Sequence, residues 1–193
     1  MNARTKLAIF RLLPALVLAP LITGCVHPLL TTDIKLSPGD TTARLRVRLM
    51  TEGSITILQF APSKCYAFSD PAVRSLATIY RGEKSFGISL TWPAKLDMPN
   101  DLAGVPQSSY EEILVKAQSP LDFRVSWFGG NQYVVYKANR VAEFLPETGK
   151  DYELKVFASP KSPMRLVIDE LQVNDGHITR VPVAVNDLHL CGT

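Results

Sequence analysis

The sequence is poor in the residues on which most catalysis depends. Histidine occurs three times in 193 residues, at positions 27, 177 and 189, and none of the three sits in a recognisable motif. There is no Gly-x-Ser-x-Gly elbow, no His-Glu-x-x-His, no phosphate-binding glycine loop and no Ser-x-x-Lys signature. Glu111-Glu112 and Asp169-Glu170 are adjacent carboxylates, but neighbours on a strand point to opposite faces, so neither pair forms an acid/base couple by itself. Three cysteines and three histidines fall short of the four-ligand spacings of structural zinc sites. The expectation is a chain with no catalytic residue, no metal ligands and no cofactor.

Acidic residues are missing from positions 1–24, where Arg4, Lys6 and Arg11 supply the whole surplus behind the formal charge of +3. Without that segment the basic and acidic residues balance. A neutral body lacks the positive field with which proteins neutralise phosphates, so nucleic acid is excluded as an expected partner. The apolar run Leu12–Thr23 is 12 residues long and interrupted by Pro14 and Pro20. That is the length of a signal peptide and too short to span a bilayer.

The run ends in Leu21-Ile22-Thr23-Gly24-Cys25, which resembles a bacterial lipobox: an apolar residue three before the cysteine, two small residues, then Cys. The resemblance covers about 25 residues and implies diacylglycerol transfer to Cys25, cleavage after Gly24 and acylation of the new N-terminus. Such a chain is held by outer-membrane lipid through acylated Cys25, because acyl chains contribute about 0.8 kcal/mol per buried CH₂. Val26 stands where lipoproteins retained at the inner membrane carry Asp, which directs the expectation to the periplasmic face of the outer membrane. Setting Cys25 aside leaves Cys65 and Cys191, an even pair in an oxidising compartment, and one disulfide between them is expected.

The organisation that follows is a signal peptide over 1–24, a lipidated cysteine and Pro/Thr/Asp-rich tether over 25–42, and one domain over 43–193. Ala43, Leu45, Val47 and Leu49 alternate with Arg44, Arg46 and Arg48, the clearest strand pattern in the chain, with its arginines expected on a solvated outer face. Further strands are expected at Ser54–Phe60, Ser85–Thr91, Tyr110–Ala117, Asp122–Phe128, Tyr133–Ala138, Tyr152–Ala158, Arg165–Val173 and Thr179–Val185. Ser109-x-x-Glu112 fits a helix capping box, a competing reading for Tyr110–Ala117. Gly129-Gly130-Asn131 and Asn174-Asp175-Gly176 supply hairpin turns. The fold class is an all-β, antiparallel sandwich, immunoglobulin-like or transthyretin-like. Within it, Phe144–Ala158 resembles the fibronectin type III and immunoglobulin pattern, which implies that the Tyr152 hydroxyl bonds back to upstream backbone at a corner.

With catalysis set aside, recognition surface remains. The Pro/Asp/Asn-rich connection from Thr91 to Ser109 offers Trp92, Leu96, Asp97, Met98 and Asp101, either as contact anchors or as a lid folded back over the sandwich. Trp127, Asn131 and Tyr133 form a second candidate at a hairpin tip, with Trp127 alternatively a core residue. The expected function is a non-catalytic protein-binding module facing an envelope or toxin protein, an immunity or inhibitor protein against a toxic periplasmic hydrolase. The alternatives are an anchor or assembly lipoprotein of a secretion or envelope complex and, last, a cell-envelope hydrolase using His177 and His189.

Overall fold

The computed structural model describes residues 36–82, 95–131 and 133–192. Cys25, Trp92 and the expected strand Ser85–Thr91 lie outside the described residues. Among the described residues ten strands follow one another: β1 Thr42–Leu49, β2 Gly53–Phe60, β3 Arg74–Arg81, β4 Tyr110–Lys116, β5 Leu121–Gly130, β6 Val135–Phe144, β7 Asp151–Ser159, β8 Ser162–Asn174, β9 His177–Val183 and β10 Asn186–Asp187. They form two five-stranded sheets of order β4-β1-β7-β8-β9 and β10-β6-β5-β2-β3. Among the described residues these strands pair antiparallel except β1 with β7, which is parallel, as is the isolated bridge between Tyr66 and Leu190. The protein is an all-β sandwich.

Alternation builds the core. Leu45, Val47 and Leu49 from β1, Ile55 and Ile57 from β2, Phe123 and Val125 from β5, and Leu154 and Val156 from β7 meet between the sheets, all buried. Tyr152 packs edge-on against Phe144, and the Glu147 backbone N–H donates to its hydroxyl at 3.0 Å, the corner bond implied by the sequence resemblance. Asp175 and Gly176 take φ of 52° and 77° in the β8–β9 turn, the left-handed region that Asn, Asp and Gly tolerate.

One competing reading is settled in favour of the expected strand, one strand is new, and one expectation is corrected. The segment after Ser109 is strand β4, not a helix, because Ile113 and Val115 alternate into the core opposite Leu45 and Ala43 of β1. Strand β3 was not expected: a bulge between Ile57 and Leu58 inserts Leu76, so Leu76 and Ala77 are both buried and the two-residue period is broken. The arginine row of β1 is not a solvated face, since Arg46 is 0% exposed. It points outward from its sheet, but the chain from Lys95 to Leu102 lies across it.

Cys65 and Cys191 are joined by a disulfide. Around it the tail meets the β2–β3 connection: Tyr66 N–H donates to the His189 carbonyl and Cys191 N–H to the Tyr66 carbonyl, both at 2.9 Å. The start of β1 and the β8–β9 hairpin share one end of the sandwich. The β1–β2, β5–β6 and β7–β8 turns share the other, set by the register of β1 with β7 and β2 with β5.

Candidate functional site

The β5–β6 hairpin closes the end of the sandwich opposite the point where residues 36–41 enter β1. Asn131 shapes its tip: its Oδ1 accepts the Tyr133 and Val134 N–H groups at 2.9 and 3.0 Å, while its own N–H donates to the Val134 carbonyl. Trp127 anchors the base, buried in the core, with Nε1 donating to the Glu52 carbonyl at 3.1 Å. Gly129 is required there, because a Cβ would overlap the Trp127 ring. Gly130 adopts φ 127°, where a side chain would strain the backbone.

Beyond this anchored base the apolar side chains face water. Tyr133 is 84% exposed and Val135 66%, with Phe128, Val134 and Tyr136 each exposed by about two-fifths. Four successive apolar residues from Tyr133 to Tyr136 break the alternation that would bury every second one, and that run is the sequence signal for the exposed cluster. Lys137 lies over the Phe128 ring at 5.6 Å. Two open cavities of about 660 and 700 Å³ flank Trp127, both also lined by Ser159 and Pro160 of the β7–β8 turn. One lies under β6 toward Met164, the other under the β1–β2 turn.

The second group of candidates sits elsewhere, on the outer face of the β4-β1-β7-β8-β9 sheet. Arg44 and Arg46 donate to the carbonyls of Leu96 and Pro99 at 3.1 and 2.8 Å, and the Leu96 N–H donates to Glu112 Oε2 at 2.7 Å. Asp101 receives two bonds from Arg180, at 2.7 and 2.9 Å. Met98 is 3% exposed and Leu96 half-buried, so this stretch is the lid and not a set of free contact anchors; Asp97 alone of the four stands exposed without a side-chain bond to the sheet. Trp127 is likewise core, leaving Tyr133 as the exposed anchor of the hairpin set.

Beneath the lid, Glu153 is fully buried with Arg48 and Arg180 at 3.1 Å and Arg46 at 3.8 Å, and Arg46 bonds Glu112 as well. Three guanidiniums face Glu112, Glu153 and Asp101, so the cluster is neutral within itself. The Arg180 hydrogen bonds hold the Asp101 carboxyl below its ordinary range, and those same bonds push the Arg180 guanidinium up. A compensated cluster of this kind fixes the lid in register; it presents no unpaired charge to a substrate. His177 and His189 are exposed on the β8–β9 hairpin and the C-terminal tail, and among the described residues no three His, Cys, Asp or Glu side chains are grouped to hold a metal ion.

Compared with protein-family models, with curated proteins and with solved structures, the chain matches none.

Proposed function

We propose that the protein is a lipid-anchored periplasmic module of the outer membrane that binds another envelope or toxin protein through its β5–β6 hairpin, without catalysis. The observation that carries this reading is the exposed run Tyr133–Tyr136 on a braced hairpin. Aromatic side chains held on a rigid base lose little conformational entropy on binding, which is why they serve as interface anchors. Strand β5 is ten residues long, about 34 Å at about 3.4 Å per residue, and it holds the tip at the end away from residues 36–41. A chain tethered through Cys25 would therefore present the hairpin away from the membrane. An insertable hairpin suits an inhibitor or immunity protein of a hydrolase better than the strapped segment 95–102, whose apolar residues are already covered.

A photo-crosslinking amino acid placed at Tyr133, with His177 at the opposite end as control, tests the reading in cells. One dominant adduct from position 133 and none from 177 is the expected outcome. Absence of any adduct from positions 133 and 135, with the protein correctly exported, removes the proposal.

A further inference from the structure

The two long sides of the sandwich end differently. Where β3 meets β4, the edges are occupied: Thr78 N–H of β3 donates to Glu111 Oε2 at 3.2 Å, and Arg74 donates to the Leu114 carbonyl of β4 at 3.1 Å. On the opposite side β9 carries Pro182, which removes a donor from its edge. Strand β6 carries no proline. β10 covers Ala142 and Glu143, the Leu188 N–H reaches the Val141 carbonyl at 3.2 Å, and there the pairing stops. Among the described residues no strand lies against β6 from Val135 to Arg140.

The direction of the unpaired groups follows from that last bond. Antiparallel residues turn both their N–H and C=O to the same side, alternately toward each neighbour. Val141 turns its carbonyl to the β10 side, so Val135, Lys137 and Asn139 turn theirs to the open edge. Directly beneath lies the cavity of about 660 Å³, lined by Tyr136 and Ala138 of β6, by Pro163 and Met164 of β8, and by Trp127. Its lining spans β6 and β8, which Arg140 bridges by donating to the Met164 carbonyl at 3.1 Å, so the apolar part reached from the open edge is that of Tyr136 and Ala138.

We propose that this edge accepts an extended segment of the partner protein as an added strand, one side of which places apolar side chains in the cavity while the other sets a carboxylate opposite Lys137. The inference rests on the binding reading above and names the shape and charge of what is bound. Strand addition draws affinity from main-chain hydrogen bonds and specificity from side-chain pockets, and here a stretch of β6 that no described strand pairs lies over a cavity. Charge selects the occupant. Lys137 and Lys161 have no carboxylate partner among the described residues, whereas Arg140 is already bonded to Asp187 at 2.7 Å. A second copy paired two-fold about the centre of this edge would oppose Lys137 to Lys137, a destabilising like-charge pair.

The test uses the full-length protein and a capped nine-residue synthetic peptide alternating valine with threonine and glutamate, together with the same peptide N-methylated at alternate residues. Amide hydrogen exchange at Lys137 and Asn139 should slow by at least about tenfold with the unmodified peptide and not with the methylated one, while Ala138, already bonded to β5, is unaffected. Lys137→Glu, an outward-facing change that leaves the β5–β6 ladder intact, should weaken binding about fivefold. Unchanged exchange at both amides, protection that survives N-methylation, or protection that grows with protein concentration alone overturns the proposal, the last assigning the edge to a second copy. A cellular adduct from Tyr133 without peptide protection sinks strand addition and leaves the binding reading standing. Protection without an adduct leaves β6 a strand acceptor and removes the partner reading.

Discussion

Arg46 and Glu112 lie opposite one another on β1 and β4, and the guanidinium bonds a single carboxylate oxygen through Nε and Nη2 at 2.9 and 2.8 Å with both side chains buried. Arg46→Met would strand the Glu112 charge away from water and leave the Pro99 carbonyl without its donor. Removing one partner of a buried pair typically costs about 3–5 kcal/mol, whereas replacing both by apolar groups is far milder. Urea unfolding should show that loss for Arg46→Met and recover at least half of it in the double variant with Glu112→Met. A single-variant cost under about 1 kcal/mol would mean that the lid, not the pair, holds this face together.

The disulfide closes a loop with a sequence separation of 126 residues. In the chain-entropy model a cross-link of that span contributes about 4–5 kcal/mol by restricting the unfolded chain. Replacing Cys65 and Cys191 with Ser should lower the unfolding free energy by a few kcal/mol and speed amide exchange at Tyr66 and Cys191, whose N–H groups bond the His189 and Tyr66 carbonyls beside it. Unchanged stability after reduction would show that the tail is held by other contacts.

Asp122 is buried beside Glu143, its register partner on β6, with one oxygen accepting the Ser63 N–H at 2.7 Å. Burial first, and Glu143 after it, push its carboxyl above the ordinary 3.8. Over the window upward from 3.8 the folded chain therefore holds more protons than the unfolded chain, so this group's contribution to stability falls as pH rises. Asp122→Asn keeps the acceptor for Ser63 and removes the buried charge. It should raise the urea midpoint at about pH 7 and change it little at about pH 3, where the carboxyl is protonated in both states. Glu111, also raised by burial, keeps part of the same slope. A midpoint at about pH 7 that falls with the substitution would refute the sign.

Cys25→Ala tests the anchor. Labelled palmitate should no longer be incorporated, and the protein should leave the outer-membrane fraction, because loss of the acyl chains removes about 0.8 kcal/mol for each buried CH₂. Continued labelling of the alanine variant would assign the lipid to another site and refute the role given to Cys25.

What the sequence determined by itself is what depends on near neighbours and on counting. Alternation located β1, β2, β4, β5, β7 and β8, the Asn174-Asp175-Gly176 turn chemistry located a hairpin, and the parity of Cys65 and Cys191 located the disulfide. Each of these follows from steric rules that act within a few residues, or from counting cysteines. The tertiary structure decided the rest. Arg44 meets Asp151 across 107 positions through the parallel pairing of β1 with β7, and nothing local to either residue specifies that register. The bulge that hides β3, the burial of Arg46 under residues 95–102 and the edge of β6 that no described strand covers belong to the same class. Whether an outward-facing side chain meets water, a lid or a vacant strand position depends on what distant chain segments cover, and only the packed sheets settle that.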